Sequence, residues 1–376
     1  MISSVLNKVS SPVRAQMPKM KSLVRTVQRA KKSKDEVVNP KTLKELVIPD
    51  IYKTVNDDEL FLLHDSGGGA DRFLIYATEK NLDLLAECTM WFCDGTFSSV
   101  PLIFKQLYTI HGSYDGKILP FVYILAPNKS QKLYLRVLKV IKHHKPNLNP
   151  QRAMVDFERA FINAFKHQFA RCYIIGCHFH FCKCVWSHIQ STGLQNQYTT
   201  DLKFCINLKM FMALAFVPID DVIEAYEELI KSSFYQENAT ILTDFVSYVE
   251  RTWIGELSRL GNKRTKPLFD LLLWNCYQAV LDDIMRSNNC VEGWHNSFNR
   301  KVRVIHAIFS SFINFIKSEQ VITETTITQM DAGINNVAKK RKIYADKDKR
   351  IMNVVLQYDP TKELKYLKNI ASAMFV

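Results

Sequence analysis

Three consecutive runs of apolar, β-branched and aromatic residues most restrict what this chain can fold into: MWFCDGTFSSV from Met90, IFKQLYTIHGSY from Ile103 and ILPFVYILAP from Ile118. A proline-containing turn separates the first two, and Asp115-Gly116 separates the last two. Connections that short join neighbours in an antiparallel meander. The period then changes. Gln131 to His143 places Leu133, Val137, Leu138 and Ile141 on one helical face. A strand over Arg152 to Asp156, a helix through Phe169 and a strand over Cys172 to Gly176 complete the order βββαβαβ. That order predicts an α/β fold, a mixed sheet with helices packed on it. A short strand at Phe73 to Ala77 precedes the meander, after a turn at Ser66 to Gly69.

From about 181 to 287 the β alternation is lost, and Leu, Met, Phe and Glu recur at helical spacing, as in Asp220 to Lys231 and Leu268 to Met285. This reads as an all-helical block set before the last helix of the α/β unit. The expected organisation is a basic N-terminal arm (1–45), a first part of the α/β core (46–190), a helical insertion (191–285), the last core helix (286–320) and a basic C-terminal tail (321–376). Within the arm, Lys19 to Lys34 has the spacing of an amphipathic helix. Of the 376 residues 47% are hydrophobic, enough to bury a core, yet no apolar stretch reaches the ~18 residues of a membrane span. Neither a membrane nor a secretory signal is expected. Nine scattered cysteines suit a reducing compartment. The net charge of +13 sits at the ends. Residues 1–53 carry 12 Lys+Arg against 4 Asp+Glu, and residues 339–376 carry 10 against 4, so the middle is near neutral. Basic ends on a neutral body point to a polyanionic partner, most plainly nucleic acid; solvated tails are the plainer alternative.

Asp94, in WFCDGTF, is expected to end the first strand, and Asp156, in AMVDFE, the fourth. In an RNase H-type sheet with this order, those two strands are neighbours, which sets the aspartates side by side. Two like charges that close need a compensating cation, and hard divalent ions with oxygen ligands suit them. Glu292, in SNNCVEGWHNSFNRKV, is the third acid. On its helix Glu292, His295, Asn296 and Asn299 share a polar face, and Val291, Trp294, Phe298 and Val302 share an apolar one. Taken singly, the aspartates are also accounted for as strand-end turn residues, and Glu292 as a complement to the helix dipole.

At these residues the chain resembles the Mutator-like (MULE) transposases, within the RNase H-like DDE/D superfamily. The matching segments are DGTF (Asp94 to Phe97) with Trp91 upstream, VDFERAFINAF (Val155 to Phe165), GCHFHF (Gly176 to Phe181) and NNCVEGWHNSFNR (Asn288 to Arg300). With the lead-in RFLIYATEKNLDLLAECTMW, the resemblance covers roughly residues 70–305. It implies that Asp94, Asp156 and Glu292 are the catalytic metal ligands for Mg²⁺ or Mn²⁺, and that the helical block is the insertion such transposases carry. It also implies metal-dependent cleavage of double-stranded DNA at terminal inverted repeats, strand transfer into target DNA, a homo-oligomer on DNA and a nuclear location. The alternative is a catalytically inactive, domesticated or fossil descendant that binds DNA or protein.

Around that triad, Glu158 reads as a second carboxylate supporting Asp156, and His295 as a support of the site or a contact to the scissile phosphate or a base. Arg300, Lys301 and Arg303 read as phosphate contacts or as a solvated helix end, and Trp294 as core. Cys177 and His180 match a CxxH element, read as bracing the insertion or the DNA. The surrounding cluster (Cys172, His178, Cys182, Cys184, His188) fits no standard four-ligand zinc pattern. Zinc is therefore the lesser reading, with Cys177 and the histidines expected on extended chain, alternating faces. Lys339 to Lys342 and Lys19 to Lys34 read as nuclear address signals or phosphate-binding arms. The Cys and His residues before Asp94, which are His64, Cys88 and Cys93, make no zinc-binding DNA-recognition module, so the chain is expected to begin near its catalytic part.

Overall fold

The structure, a computed structural model, describes residues 38–55, 59–258, 261, 263–334 and 342–375. The helix expected over Lys19 to Lys34, and all but the last residue of the basic run from Lys339, lie outside them.

A small antiparallel ladder, β1 (Thr54–Val55) with β2 (Glu59–Leu60), precedes a seven-stranded mixed sheet. Its strands are β3 (Leu62–Asp65), β4 (Leu74–Tyr76), β5 (Met90–Thr96), β6 (Gln106–Tyr114), β7 (Lys117–Ala126), β8 (Arg152–Val155) and β9 (Tyr173–Gly176), in the spatial order β3-β4-β7-β6-β5-β8-β9. The meander expected from the three apolar runs is β5-β6-β7. Asp115 and Gly116 both take positive φ between Tyr114 and Lys117, the paired left-handed turn that matches the twist of a two-residue hairpin. β8 and β9 then add in parallel beside β5, and the parallel pairs are reached through helices.

Helix α1 (Glu79–Glu87) is capped by the Thr78 hydroxyl, which accepts from the Asn81 amide. α2 (Gln131–His144) is capped in the same way by Ser130 and buries Leu133, Val137, Leu138 and Ile141, the stripe read from the sequence. α3 (Arg159–Gln168) buries Phe161, Ile162 and Phe165 on the same face of the sheet, against Trp91, Cys93, Ala153 and Val155. Side chains alternate along a strand, so Phe92 and Met154 point to the opposite face. That face is covered by α12 and α13, whose ranges follow.

Between β9 and that cover the chain is helical: α4 (His178–Ser191), α5 (Gln195–Thr200), α6 (Leu202–Ala213), α7 (Val222–Lys231), α8 (Ser233–Glu237), α9 (Ala239–Val249), α10 (Leu271–Trp274) and α11 (Tyr277–Leu281). The only pairing of strand type there is an isolated bridge between Leu257 and Arg264, among the described residues. Phe181 of α4 stacks on Trp274 at 5.2 Å and meets Trp253 edge-on at 4.8 Å, which ties the block to the sheet's main core. α12 (Asn289–Val302) and α13 (Phe309–Asp331) then bring Phe298, Val302, Phe309, Phe312, Ile313 and Ile316 onto Tyr76, Leu107, Tyr123 and Leu125. Leu43, Leu46, Ile48 and Tyr52 join this second core, so the described part of the expected N-terminal arm packs against the body.

The expected basic tail over 321–376 is corrected. Its start is the second half of α13, and α14 (Lys342–Val355) and α15 (Glu363–Ala373) follow. Ile351, Val355, Tyr366, Leu367 and Ile370 are buried in the same core as Phe204, Leu208 and Met212 of α6. The Tyr366 hydroxyl donates to the Phe216 carbonyl, and Arg286 pairs with Asp348. Leu367→Ala is expected to cost about 2–5 kcal/mol, because a fully buried leucine leaves a cavity behind. Urea unfolding measures it, and an unchanged midpoint would mean that these helices are not part of the cooperative core.

Candidate active site

β5 and β8 pair in parallel with Met90 opposite Arg152, Trp91 opposite Ala153 and Phe92 opposite Met154. Continued by two residues, that register sets Asp94 level with Asp156, which directly follows β8. Both aspartates share the face of Phe92 and Met154, the face that α12 covers. Val291 of α12 packs there with Phe92, Met154 and Cys177. The first turn of α12 thereby carries Glu292 to the same end of the sheet.

His180 completes the convergence. β9 ends at Gly176, where an added Cβ would lie 2.6 Å from the Phe157 ring and 2.8 Å from the Leu273 carbonyl oxygen, so only glycine lets the chain pass this close. Cys177 then caps α4, and His180 lies in its first turn with Nε2 2.9 Å from Glu292 Oε1. The extended course expected for this segment is therefore corrected. Phe181, Val185 and Ile189 recur every four residues and are buried, which makes it a helix. Among the described residues, Asp94, His180 and Glu292 form the one cluster of three metal-ligating side chains with ligand atoms within 4.8 Å of one another. Asp156 lines the same cleft, outside that triple.

The cleft is open and holds about 620 Å³, with Asp94, Asp156, His180 and Glu292 on one side and Phe97, Lys129, Lys183, His188 and Tyr248 around it. Its electrostatics oppose ionised acids. Burial, with the charges of Asp156 and Glu292, pushes the Asp94 carboxyl up to about 7, against the pull of His180 and the Gly95 amide. Burial and neighbouring Glu158 also raise Asp156. Glu292 is lowered by its hydrogen bond with His180. Burial would depress His180, but its contacts with Cys177 and Glu292 and the charge on Asp94 raise it to about 10.

Asp94 is held from several sides. Its Oδ1 accepts from the Gly95 amide at 2.7 Å, and its Oδ2 accepts from Asn288 Nδ2 at 3.1 Å. The Oδ1 of Asn288 accepts from the Cys177 thiol at 2.9 Å, so one side chain links Asp94 to the N-cap residue of α4. Asn288 also stands at the N-cap position of the helix that carries Glu292. Its bridging role needs three distant segments in contact, which no local pattern reports.

His295 is buried, which removes the expected reach to DNA and leaves the supporting role. Its Nδ1 faces Asp94 Oδ2 at 3.7 Å and its Nε2 shares a 3.0 Å hydrogen bond with Thr109, which in turn contacts His111 at 2.9 Å. Thr109 and His111 stand opposite Asp94 and Phe92 in the ladder; sequence reasoning missed them, although their alternation on β6 was the available signal. Burial lowers His295 to about 4. The polar stripe of α12 thus faces the end of β5, with Asn299 donating to Thr96 at 3.0 Å and accepting from Ser99 at 2.6 Å.

The other readings divide. Glu158 pairs with Lys129 at 3.0 Å beside Asp156. Lys301 pairs with Glu319 at 2.5 Å, and Glu319 also accepts from Trp294 Nε1 at 3.1 Å, while the Trp294 ring stacks on Phe298. Arg300 and Arg303 are exposed at the end of α12, Arg303 in the left-handed conformation that terminates the helix. The cysteine–histidine set does not converge as a zinc site among the described residues. His188 stacks on Tyr248 at 3.8 Å, and His178 turns to Cys182 and Phe216.

Asp94 carries a pH prediction. Between about pH 4 and pH 7 the folded protein keeps a proton on Asp94 that the unfolded chain has released, so rising pH costs stability across that window. In EDTA, Asp94→Asn is therefore expected to be more stable than the wild type by about 2–4 kcal/mol near pH 8, and nearly equal to it near pH 4.5. Urea midpoints at the two pH values check this; a constant difference would remove Asp94 as the titrating group.

The strand-end aspartates and the CxxH element lie on one continuous stretch of known type. Residues 90–184, from β5 into α4, match the family model described as the MULE transposase domain. Glu292 lies beyond the matched stretch. Among curated proteins, none matches the chain. That segment contains Asp94, Asp156, Cys177 and His180, and over it the chain is similar to the MULE transposase domain.

Proposed function

We propose that this cleft cuts DNA strands, with Asp94, Asp156 and Glu292 holding divalent cations, Mg²⁺ or Mn²⁺, and that the sheet and its helices form an RNase H-like catalytic core interrupted by a helical insertion over 191–285. A transposase domain implies a divalent cation in general, and the residues present fit one. The donors are chiefly carboxylate oxygens, and Asp156 Oδ1 is buried without a hydrogen-bond partner at the cleft. The observation that carries the reading is the meeting of strand-end Asp94 and helix-borne Glu292 in one open cleft beside Asp156, where burial disfavours their charge. The cation supplies the positive charge that lets the acids ionise together and polarises the phosphodiester.

The chain's own residues do the rest. Asn288 fixes the orientation of Asp94, and His295 with Thr109 closes the space behind it, so that the carboxylate presents to the cleft. Lys129 and Lys183 on the cleft wall, with Arg300 and Arg303 at the end of α12, attract the phosphate backbone. Hydrolysis at terminal inverted repeats frees a 3′-OH for joining to target DNA, carried out by an oligomer on duplex DNA in the nucleus.

Nicking of supercoiled plasmid tests the chemistry without knowledge of the repeats. The wild type is expected to nick in Mn²⁺ and to stop in EDTA, and Asp94→Asn to lose at least about 100-fold, since cation stabilisation of the reacting charge is worth several kcal/mol. Equal activity in both proteins, or none in either, would sink the reading.

A further inference from the structure

An imidazole, that of His180, joins Asp94 and Glu292 in the one triple of metal-ligating side chains among the described residues, and the third carboxylate does not. We propose that His180 gives a nitrogen ligand to the cation held by Asp94 and Glu292, so that this position takes Mn²⁺ in preference to Mg²⁺. The inference rests on the reading of the cleft as a cation site and specifies which atoms make it.

Geometry carries the argument. Adjacent oxygens and nitrogens around an octahedral ion at about 2.1 Å lie about 3.0 Å apart, and opposite ones about 4.2 Å apart. His180 Nε2 and Glu292 Oε1 are 2.9 Å apart, and the three ligand atoms of Asp94, His180 and Glu292 lie within 4.8 Å of one another. One ion reaches all three with little movement. Asp156 falls outside this set and remains on the cleft wall as a ligand for a second ion or for water.

The imidazole is also placed for the task by its neighbours. Cys177, three residues before it, caps α4 and is hydrogen-bonded to Asn288, the same residue that holds Asp94. Phe181, the next residue, is locked between Trp253 and Trp274. The side chain of His180 is 12% exposed, and its Nε2 lies on the cleft side against Glu292, with Cys177 as the ring's other polar neighbour. A ring fixed on both sides loses little freedom when it binds an ion.

The donor set decides the preference. Mg²⁺ binds through oxygens and keeps several waters, whereas Mn²⁺ shares its taste for carboxylates and, as a first-row transition ion, gains more from a nitrogen ligand. Two carboxylates and one imidazole therefore favour Mn²⁺.

Electron spin-echo spectroscopy of Mn²⁺ bound to the full chain tests this directly, because a coordinated imidazole gives ¹⁴N modulation on the metal signal. The wild type is expected to show that modulation, to exchange it for ¹⁵N when histidine is labelled, and to lose it with Asp94→Asn. His180→Ala and His180→Gln are each expected to abolish the modulation and weaken Mn²⁺ binding at least about tenfold, while Mg²⁺ binding changes less. Folding of each variant is checked by circular dichroism, and the wild-type spectrum stands without either. Mn²⁺ bound in an Asp94-dependent way without ¹⁴N modulation would overturn the ligand role and leave the cation site intact. No Asp94-dependent Mn²⁺ binding at all would overturn both.

Discussion

The parallel pairing of β5 with β8 is the constraint on which the rest of the molecule depends. It aligns two strands that carry acids at the same end of the sheet, Asp94 two residues before the end of β5 and Asp156 directly after β8, where packing has largely buried them. Carboxylates in such a place repel each other more strongly than in water, because the surroundings screen them less. Burial above all raises both carboxyls, helped by the charge of Asp156 on Asp94 and of Glu158 on Asp156. The fold meets the repulsion in two ways. Hydrogen bonds from Gly95 and Asn288 hold Asp94 in place, and His180 sets a positive group against Glu292.

α12 is the element that makes this arrangement specific. One stripe of the helix, Val291, Phe298 and Val302, is buried, while the other runs along the end of β5 with Glu292, His295 and Asn299 each meeting a different part of that strand or its flank. A polar stripe facing a strand end, not solvent, explains how a helix outside the matched family segment is locked in register with it. Rotation of α12 by one residue would break the contacts to Asp94, Thr96, Ser99 and Thr109 together.

Much of the sheet was legible because its signals are local. The three apolar runs, the Asp115-Gly116 turn and the stripe of α2 each lie within a dozen residues and appear where periodicity and turn chemistry set them. The nearness of Asp94 and Asp156 also followed, since strand order alone makes them neighbours. What was not legible depends on distant segments or on competing local preferences. HFHF has the composition of a strand, yet its phenylalanine and the later Val185 and Ile189 have helical spacing, so His180 reached the acids unexpectedly. For His295 the sequence left open a support of the site or a contact to DNA, because nothing local announces that β5 and β6 lie opposite. The C-terminal helices were hidden by charge: Lys347, Lys349 and Arg350 dominate a stretch whose Ile351 and Val355 supply the contact.

The link from Asn288 to Asp94 spans 194 residues of chain. His180 sits on a third segment between them, anchored through the helical block that also receives α15. Contacts of such long separation form late in folding, after their loop entropy has been met by other packing. A chain still emerging from the ribosome with β5 through β9 complete has two aspartates but neither Glu292 nor the asparagine that orients Asp94. On the proposed reading, the site therefore comes into being only with the finished body, and synthesis itself keeps it from acting early.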